Sequence, residues 1–255
     1  MALTTDLVSY YKLDDALATT NVLDAHDSND ATLVGKNTDQ VDVAGKINTG
    51  LDMEASEYIN VPIDPSGSTS FTVTMWVKST SVTHMDAAFS LPGGTGEITI
   101  RQDTGTGNRY RIAVYDGTTT NYGYLALTTG TWQFLAITFD SSGYLLYGDG
   151  NDLASDEWTG QEWGSSSSIR LGARRDSTGN IDAIFDEVGI WSRALTSTEI
   201  SSLYNSGSGL AYPFTAGEIN PKIKAAGTFS TKPIKYKTGG AFASKVTKVK
   251  VSGSF

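Results

Sequence analysis

Cysteine is absent from the 255 residues of this chain. Its absence excludes disulfide bridges, a thiolate metal site and a cysteine nucleophile. The folded chain must therefore be stabilised by its apolar core, with or without a bound cation. A chain of this length can bury a large core, either as one long β-sandwich or as two domains.

Long hydrophobic runs are missing as well. No eighteen consecutive apolar residues occur, and residues 1–7 show no basic region followed by an apolar run. We therefore expect neither a membrane span nor a secretory signal. A protein made in the host cytoplasm without a signal still reaches the outside when the cell lyses, as virion proteins do.

Helical periodicity is scarce, and one short segment is the exception. Thr196 and Glu199 form a T-x-x-E capping box, and Ile200, Leu203 and Tyr204 follow at the spacing of an amphipathic helix. Elsewhere short apolar runs are separated by Gly, Asn and Asp, which is typical of a sandwich or barrel. The sequence predicts an all-β protein with one short helix near the end of its domain.

Alternation of apolar and polar residues predicts the strands. Residues 70–78 alternate so that Phe71, Val73, Met75 and Val77 share one face. Residues 132–139 are apolar on both faces, which predicts a central strand buried on both sides. Further strands are predicted at residues 7–13, 98–101, 110–115, 122–127, 144–147, 169–171 and 184–191. Their spacing suits a jelly roll of two antiparallel sheets.

Several of these stretches follow one another in a recognisable order. They are Tyr-Tyr-Lys-Leu-Asp at residues 10–14, Thr-Leu-Val-Gly at 32–35, the segments 50–53, 58–62 and 70–78, and the strand and helix at 184–204. Together they resemble laminin-G-like domains of the concanavalin A-like lectin/glucanase superfamily. The resemblance extends over both ends of residues 1–216 and implies a lectin-like jelly roll.

Positive charge is concentrated at the end of the chain. Residues 218–255 contain eight lysines, no arginine and one acid, a net charge of +7, whereas residues 1–217 carry a net charge of −16. We predict a jelly-roll domain at residues 1–216 and a lysine-rich tail at residues 217–255.

The tail repeats itself every 13 residues. Gly227, Gly240 and Gly253 recur in step with three phenylalanines and with pairs of lysines in the same register. Each unit predicts a glycine turn and a short strand, which is not stable alone. The array is similar to short β-repeats at the ends of phage structural proteins, which implies anchoring to partner chains or oligomerisation. The partner-binding candidates are Phe229, Lys235, Lys237, Phe242, Lys248, Lys250 and Phe255. A disordered basic tail is the alternative.

Lysine without arginine also bears on the choice of partner. Lysines release counterions from phosphate, but they supply no bidentate contact with bases. The acidic body would repel a polyanion, so we expect no nucleic-acid partner and no membrane partner. We favour docking of the tail on an acidic protein surface. Other virion proteins or further copies of this chain would provide that surface.

The carboxylates of residues 182–187 invite a catalytic hypothesis. Glucanases of the superfamily use two carboxylates in an E-x-D-x-x-E pattern, which this chain lacks. Asp182 and Asp186 are four residues apart, but the pair Asp186-Glu187 also stands in laminin-G-like domains without glycosidase activity. We predict a non-enzymatic protein, and a glycoside hydrolase is the less favoured alternative.

An acidic loop provides candidate ligands for Ca²⁺, which prefers hard oxygen donors. Asp24, Asp27, Asn29 and Asp30 occupy the loop where relatives hold Asp-x-x-Gly-Asn, and Asp186 would close the site from the last strand. The resemblance implies a structural calcium ion there. The alternative is an acidic turn in contact with solvent.

Aromatic side chains provide the candidate sugar platforms. The candidates are Tyr110, Tyr115, Tyr122, Tyr124, Tyr144, Tyr147, Trp158 and Trp163. Among them we select Tyr115, Tyr122, Trp158 and Trp163 as the carbohydrate-binding residues. In a β-sandwich most tyrosines serve core or edge packing, which is the alternative for each of them.

These features together favour a structural protein of a phage virion, as a capsid decoration, head fibre or tail-associated protein. It would display a lectin-like domain that binds host surface glycans, and it would be held in the virion by the repeat. The alternative is a carbohydrate-binding module of a bacterial surface or secreted protein.

Overall fold

The computed structural model describes residues 2–54, 56–65, 68–83, 85–92, 97–105, 107–115, 120–156, 168–174 and 179–214. Within these ranges the chain forms two antiparallel sheets packed face to face, with one short α-helix. The predicted all-β sandwich is therefore confirmed. All of these residues belong to one compact unit, Met1–Ile219.

The first eight strands are Leu7–Tyr11 (β1), Asn21–Val22 (β2), Ala31–Val34 (β3), Asp42–Ala44 (β4), Thr49–Met53 (β5), Tyr58–Val61 (β6), Phe71–Ser79 (β7) and Ala87–Pro92 (β8). The next eight are Glu97–Asp103 (β9), Arg109–Tyr115 (β10), Thr120–Ala126 (β11), Gln133–Asp140 (β12), Gly143–Gly148 (β13), Asn151–Asp156 (β14), Ile169–Leu171 (β15) and Ala183–Trp191 (β16). The helix α1 spans Ser197–Tyr204, and 3-10 turns lie at Thr38–Gln40 and Asn205–Gly207.

The strands are divided between two sheets. Sheet A has the order β14-β13-β12-β7-β16-β5-β4, and β1 also pairs with β16. Sheet B has the order β11-β10-β9-β8-β15-β6-β3-β2. Half of the strand pairs join strands that are not consecutive in the chain, as expected for a sandwich whose chain crosses between its layers.

The main core lies between the two sheets. Phe71, Val73, Met75 and Val77 of β7 all belong to it, as their alternation predicts. The side chain of Trp76 on the same strand packs in a second cluster, so β7 is buried on both faces. Strand β12, between β7 and β13, is likewise buried on both faces, which confirms the predicted central strand.

Helix α1 covers the outer face of sheet A. Ile200 and Leu203 pack against Trp76, Phe134 and Trp191 in the second apolar cluster. Burial of these side chains stabilises a helix that would be too short to persist alone. Leu210, Tyr212 and Phe214 pack against the same cluster, so this face is closed to a ligand over much of its area.

The capping box at the start of α1 is present as predicted. The Glu199 amide donates to Thr196 Oγ1 at 3.3 Å, and the Thr196 amide donates to Glu199 Oε2 at 2.9 Å. The helix ends at Asn205, whose φ of 48° is left-handed. No helix in the described part of the chain is long and apolar enough to cross a membrane.

Candidate functional site

The outer face of sheet B carries arginine and tyrosine side chains. On β10 the core side chains Tyr110, Ile112 and Val114 alternate with Arg109, Arg111, Ala113 and Tyr115. Because successive strand residues point to opposite faces, the second set lies on the outer face. Among the residues that the structure describes, no helix covers this end of sheet B, in contrast to sheet A.

The register of β9, β10 and β11 brings the candidate binding side chains together. Arg111 lies opposite Arg101 on β9 and opposite Tyr124 on β11. The next outward position, Ala113, lies opposite Tyr122 on β11. Its small side chain leaves space beside the Tyr122 ring.

Tyr122 and Tyr124 form an exposed aromatic pair. Their ring centroids are 6.0 Å apart with an interplanar angle of 27°, and the residues are 42% and 41% exposed. Tyr115, 38% exposed, lies on the neighbouring strand. An exposed ring of this kind offers an apolar surface for a sugar and a hydroxyl for hydrogen bonding.

Two arginines of β10 contact the aromatic pair in different ways. Arg109 Cζ lies 3.8 Å from the Tyr124 ring centroid, and its Nη2 donates to Asp103 Oδ2 at 2.7 Å. The Gly105 amide and Arg109 lower the pKa of Asp103, which stays ionised. Arg111 Cζ lies 5.2 Å from the Tyr122 ring centroid. The charge of Arg109 is thus neutralised by Asp103, and its guanidinium packs against one face of the Tyr124 ring.

A small cavity opens beside these residues. Its volume is about 180 Å³, and its lining residues are Thr99, Arg101, Arg111, Ala113, Tyr115, Thr120 and Tyr122. The structure therefore brings together the two predicted carbohydrate contacts Tyr115 and Tyr122. The other two, Trp158 and Trp163, lie outside the described residues.

Arg101 and Arg111 were not among the residues selected from the sequence. The alternation Arg109-x-Arg111-x-Ala113-x-Tyr115 is the signal that points to them, because it places four side chains on one strand face. The pairing of Arg111 with Arg101 depends on the register of β9 and β10, which the pattern of one strand does not show.

Three other tyrosine candidates are core residues. Tyr110 and Tyr147 are 0% exposed, and Tyr144 is 4% exposed. Tyr110 Oη lies 2.5 Å from Ser79 Oγ, so its polar end is satisfied inside the sandwich. Of the tyrosine candidates, Tyr115, Tyr122 and Tyr124 remain available to a ligand.

A larger cavity lies over sheet A, between β12–β14 and the start of α1. It has a volume of about 600 Å³, and Asp140, Asp152, Tyr144 and Tyr147 are among its lining residues. Both tyrosines are buried, and the described residues that line the cavity include no lysine or arginine. It therefore lacks the exposed aromatic platform that the face of sheet B provides.

The predicted calcium ligands have other partners in the structure. Asp24 Oδ1 accepts from the Tyr10 and His26 amides, both at 3.0 Å, and its Oδ2 accepts from the Asn29 amide at 3.3 Å. Burial alone would raise the pKa of Asp24, but these amide donors outweigh burial and lower it. Both carboxylate oxygens thus accept hydrogen bonds from backbone N–H donors.

The remaining calcium candidates do not complete a cation site. Asp30 Oδ1 accepts from the Asp24 amide at 2.9 Å, and Asp27 is exposed. Asp186 Oδ2 accepts from the Lys46 and Ile47 amides. In the described part of the chain, no group of three or more acids, histidines or cysteines is placed to hold a metal ion. The donors do not fit the six to eight oxygens that Ca²⁺ takes, and calcium binding stays a prediction from the sequence.

The Asp186-Glu187 pair is buried in sheet A. The two residues are 0% and 2% exposed, and Tyr10 Oη donates to Glu187 Oε2 at 2.6 Å. Burial raises the pKa of Asp186 to about 8 and that of Glu187 to about 7. The register of β16 against β7 shifts between Asp186 and Gly189, and Glu187 has a left-handed φ of 49°. Both carboxyls at this β-bulge are therefore inaccessible to a ligand in the folded chain.

The candidate partner contacts Phe229, Lys235, Lys237, Phe242, Lys248, Lys250 and Phe255 all lie outside the described residues. The boundary at residue 216 and the repeat that follows it therefore stay predictions.

The fold and the open tyrosine face place the chain among lectin-like β-sandwiches, and a family comparison identifies the group. Residues 53–201 match the model of the laminin-G-like family described as the concanavalin A-like lectin/glucanases superfamily. Because the match extends over more than half of the chain, the protein belongs to this superfamily. No curated protein sequence matches the chain.

Solved structures with the same fold come from diverse proteins. Domain 4 of AbnA, a GH43 extracellular arabinanase from Geobacillus stearothermophilus in complex with arabinotriose, has a TM-score of 0.62 and 19% identity. The match covers 80% of this chain and 98% of that domain. The receptor-binding domain of botulinum neurotoxin C/D mosaic serotype has a TM-score of 0.61 and 16% identity, over 80% of this chain and 52% of that one.

A third similar structure is a Trypanosoma rangeli sialidase in complex with a difluoro-KDN ligand, with a TM-score of 0.62 and 15% identity. The match covers 81% of this chain and 34% of the sialidase, so this chain corresponds to a part of that enzyme. At these identities the three similarities establish the fold, and a function must be argued from the residues of this chain.

Proposed function

We propose that this protein binds carbohydrate without hydrolysing it, through the β9–β11 face that carries Tyr115, Tyr122 and Tyr124. The exposed Tyr122–Tyr124 pair beside a cavity lined by two arginines is the observation that carries the proposal. Sugar rings pack on aromatic faces, and nearby guanidinium groups donate hydrogen bonds to sugar oxygens. Arabinotriose in complex with the AbnA domain, 98% of which the match covers, is consistent with sugar binding on this fold.

The absence of hydrolysis is proposed from the state of the carboxyls. A glycosidase needs two carboxyl groups on either side of a sugar bond. Asp186 and Glu187 are buried and bound to backbone amides and to Tyr10, so neither reaches a polysaccharide. If purified protein hydrolysed a polysaccharide, and Asp186→Asn abolished the activity, the glycoside hydrolase alternative would replace this proposal.

A glycan array tests the binding site directly. We expect Tyr122→Ala to weaken every glycan signal about fivefold to tenfold, since stacking on one ring contributes about 1–1.5 kcal/mol to such contacts. The matched control is Tyr58→Ala, a partly exposed tyrosine on β6 of the same sheet, which should leave the signals within twofold. A wild-type array without any signal, or equal loss in both variants, contradicts the proposed site.

We propose further that the domain is displayed on a phage particle and that the tail at residues 217–255 anchors it to other virion proteins or to further copies of the chain. The charge of +7 on residues 218–255 and the regular phenylalanines support an anchoring role. A full-length variant with Lys235, Lys237, Lys248 and Lys250 changed to Glu should lose incorporation into particles, and the same four positions changed to Arg should retain it. Normal incorporation of the Glu variant would leave the carbohydrate-binding module of a bacterial surface or secreted protein as the better hypothesis.

A further inference from the structure

We propose that the glycan bound on the β9–β11 face is acidic and that Arg111, together with Arg101, holds its carboxylate or sulfate group. This inference rests on the proposed function and specifies the chemical class of its ligand. It derives from the placement of positive charge on sheet B.

Two like charges face each other at the centre of the site. Arg101 on β9 and Arg111 on β10 are direct cross-strand partners, and both side chains line the same cavity. Like charges at directly opposed positions destabilise a sheet. An anion bound in this cavity would be attracted by both guanidinium groups.

The two arginines on the outer face of β10 differ in a way that singles out Arg111. Arg109 forms an ion pair with Asp103 at 2.7 Å and contacts the ring of Tyr124. Arg111 Nη2 donates to Met85 Sδ at 3.2 Å, and sulfur is a weak acceptor. Among the residues that the structure describes, Arg111 forms no ion pair. Its guanidinium therefore has donors available for an anionic ligand beside the cavity.

The residue type and its surroundings also favour an acidic sugar. A guanidinium presents parallel donors that match a carboxylate or sulfate with two hydrogen bonds, which a lysine does not do. Arg101 and Arg111 lie within one outer-facing area of a body whose residues 1–217 carry a net charge of −16. An acidic ligand is repelled by most of the surface of residues 1–217. Attraction at the β9–β11 face therefore determines where such a ligand binds.

The geometry suits one charged sugar unit. Arg111 Cζ lies over the Tyr122 ring, 5.2 Å from its centroid, so a sugar that packs against the exposed part of this ring places its acidic substituent beside the guanidinium. The cavity of about 180 Å³ is smaller than a pocket for a drug-sized ligand, which begins at about 300 Å³. A single acidic unit within a chain is therefore the expected contact.

Matched polysaccharide pairs test the inference on the full-length protein. The carboxylate arm compares polygalacturonate with its methyl ester, and the sulfate arm compares dextran sulfate with dextran. We expect wild type at about 150 mM salt to bind the acidic member of at least one pair at least tenfold more tightly than its neutral partner. Affinity electrophoresis or biolayer interferometry measures the difference, and the arm that responds identifies the acidic group.

Substitutions of Arg111 test whether this residue causes the preference for acidic polysaccharides. Arg111→Gln should reduce acidic binding at least tenfold, and Arg111→Lys should lose most of it, because the charge remains but the bidentate geometry is lost. Lys78→Gln removes one positive charge from sheet A, beside Trp132, and should change binding less than twofold. The unfolding midpoint of each of the three variants is compared with that of wild type. If Arg111→Gln has a lower midpoint, Arg111→Met replaces it.

Several outcomes would overturn the inference. Equal affinity for both members of each pair refutes the acidic preference. It does not refute the proposed glycan site, which the Tyr122→Ala variant tests separately. Failure to bind any of the four polysaccharides, or no effect of Arg111→Gln, also refutes it. Binding of double-stranded DNA as tight as that of the acidic polysaccharide would show a general polyanion surface in place of a sugar site.

Discussion

The guanidinium of Arg193 donates to both carboxylate oxygens of Glu199. Nη2 lies 2.8 Å from Oε1 and Nη1 lies 2.9 Å from Oε2, and both residues are buried. Nε of Arg193 also donates to the Thr5 carbonyl at 3.0 Å. One ion pair thus joins the segment before β1 to the first turn of α1, the helix that covers sheet A.

Removing the charge of Glu199 should destabilise the fold. We expect Glu199→Gln to lower the free energy of unfolding by about 3 kcal/mol, because the Arg193 guanidinium is left buried without its counter-charge. Urea unfolding at pH 7 measures the change. In the control Glu54→Gln the same substitution is made in an exposed pair with Lys36, and a change below about 1 kcal/mol is expected. Equal effects of the two substitutions would contradict a special role for the buried pair.

The stability of the protein should depend on pH through Asp186. Its pKa is raised to about 8 by burial, whereas an aspartate in an unfolded chain titrates near pH 4. Between these values the folded chain holds a proton that the unfolded chain has lost, so the free energy of unfolding falls as the pH rises. The slope per group reaches about 1.4 kcal/mol per pH unit.

Urea unfolding between pH 5 and 8 should show this slope in wild type and a smaller one in Asp186→Asn, which keeps an acceptor for the Lys46 and Ile47 amides. Part of the slope will remain, because the pKa of Glu187 is also raised, to about 7. Asp39→Asn, at an exposed carboxylate, is the control and should retain the wild-type slope. Parallel curves for all three proteins would show that Asp186 does not titrate in this range.

A methyl group at Gly189 should not be tolerated. A Cβ at this position would overlap the ring of Trp191, which is buried and whose Nε1 donates to the Leu3 carbonyl at 2.7 Å. We expect Gly189→Ala to lower the free energy of unfolding by about 2 kcal/mol, in the range of overpacked cores. Gly105→Ala, whose new Cβ would be 3.3 Å from its nearest neighbour, should change it by less than about 0.5 kcal/mol.

Chelation should leave the domain stable. The Asp24 oxygens already accept three backbone amide hydrogen bonds, so the loop does not depend on a cation to hold it. We expect the thermal unfolding midpoint to be the same in EDTA and in millimolar CaCl₂. A midpoint that rises by several degrees with CaCl₂ would support the calcium site predicted from the sequence and would require these carboxylates to rearrange.

Binding of an acidic glycan should weaken with salt. Charges in contact with solvent are screened over about 10 Å at 0.1 M salt and over about 3 Å at 1 M. We therefore expect the dissociation constant for the acidic polysaccharide to rise several-fold between about 50 and 500 mM NaCl, measured by biolayer interferometry. Any affinity for its neutral partner should stay constant, since stacking on Tyr122 involves no charge. Salt-independent binding of the acidic glycan would contradict an ion pair with Arg111.

Local patterns in the sequence were sufficient to predict several elements correctly. The capping box of Thr196 and Glu199 and the burial of Ile200 and Leu203 depend on residues three or four positions apart. The alternation in β7 likewise predicted its core face. In each case the interacting groups are close in sequence, and backbone geometry alone brings them together.

The candidate site could be predicted only in part. Tyr122 and Tyr147 are both tyrosines in alternating strands, yet one is 42% exposed and the other is buried beneath the elements that cover sheet A. Exposure depends on whether another element covers the sheet, which the strand's own pattern does not contain. The acidic residues 24–30 likewise predict a cation site, whereas the backbone amides that donate to Asp24 are evident only in the tertiary structure.

The sequence by itself determined the all-β class, the short helix and its cap, and the membership in a lectin-like superfamily, because these follow from local periodicity and motif order. The tertiary structure decided which residues lie together in the candidate site. Arg101 and Arg111 are ten residues apart, and only the hydrogen-bond register of β9 and β10 places them opposite each other. Likewise, the layers around sheet A bury Asp186 and Glu187, so a pair of carboxyls that suggested catalysis in the sequence is inaccessible in the folded chain.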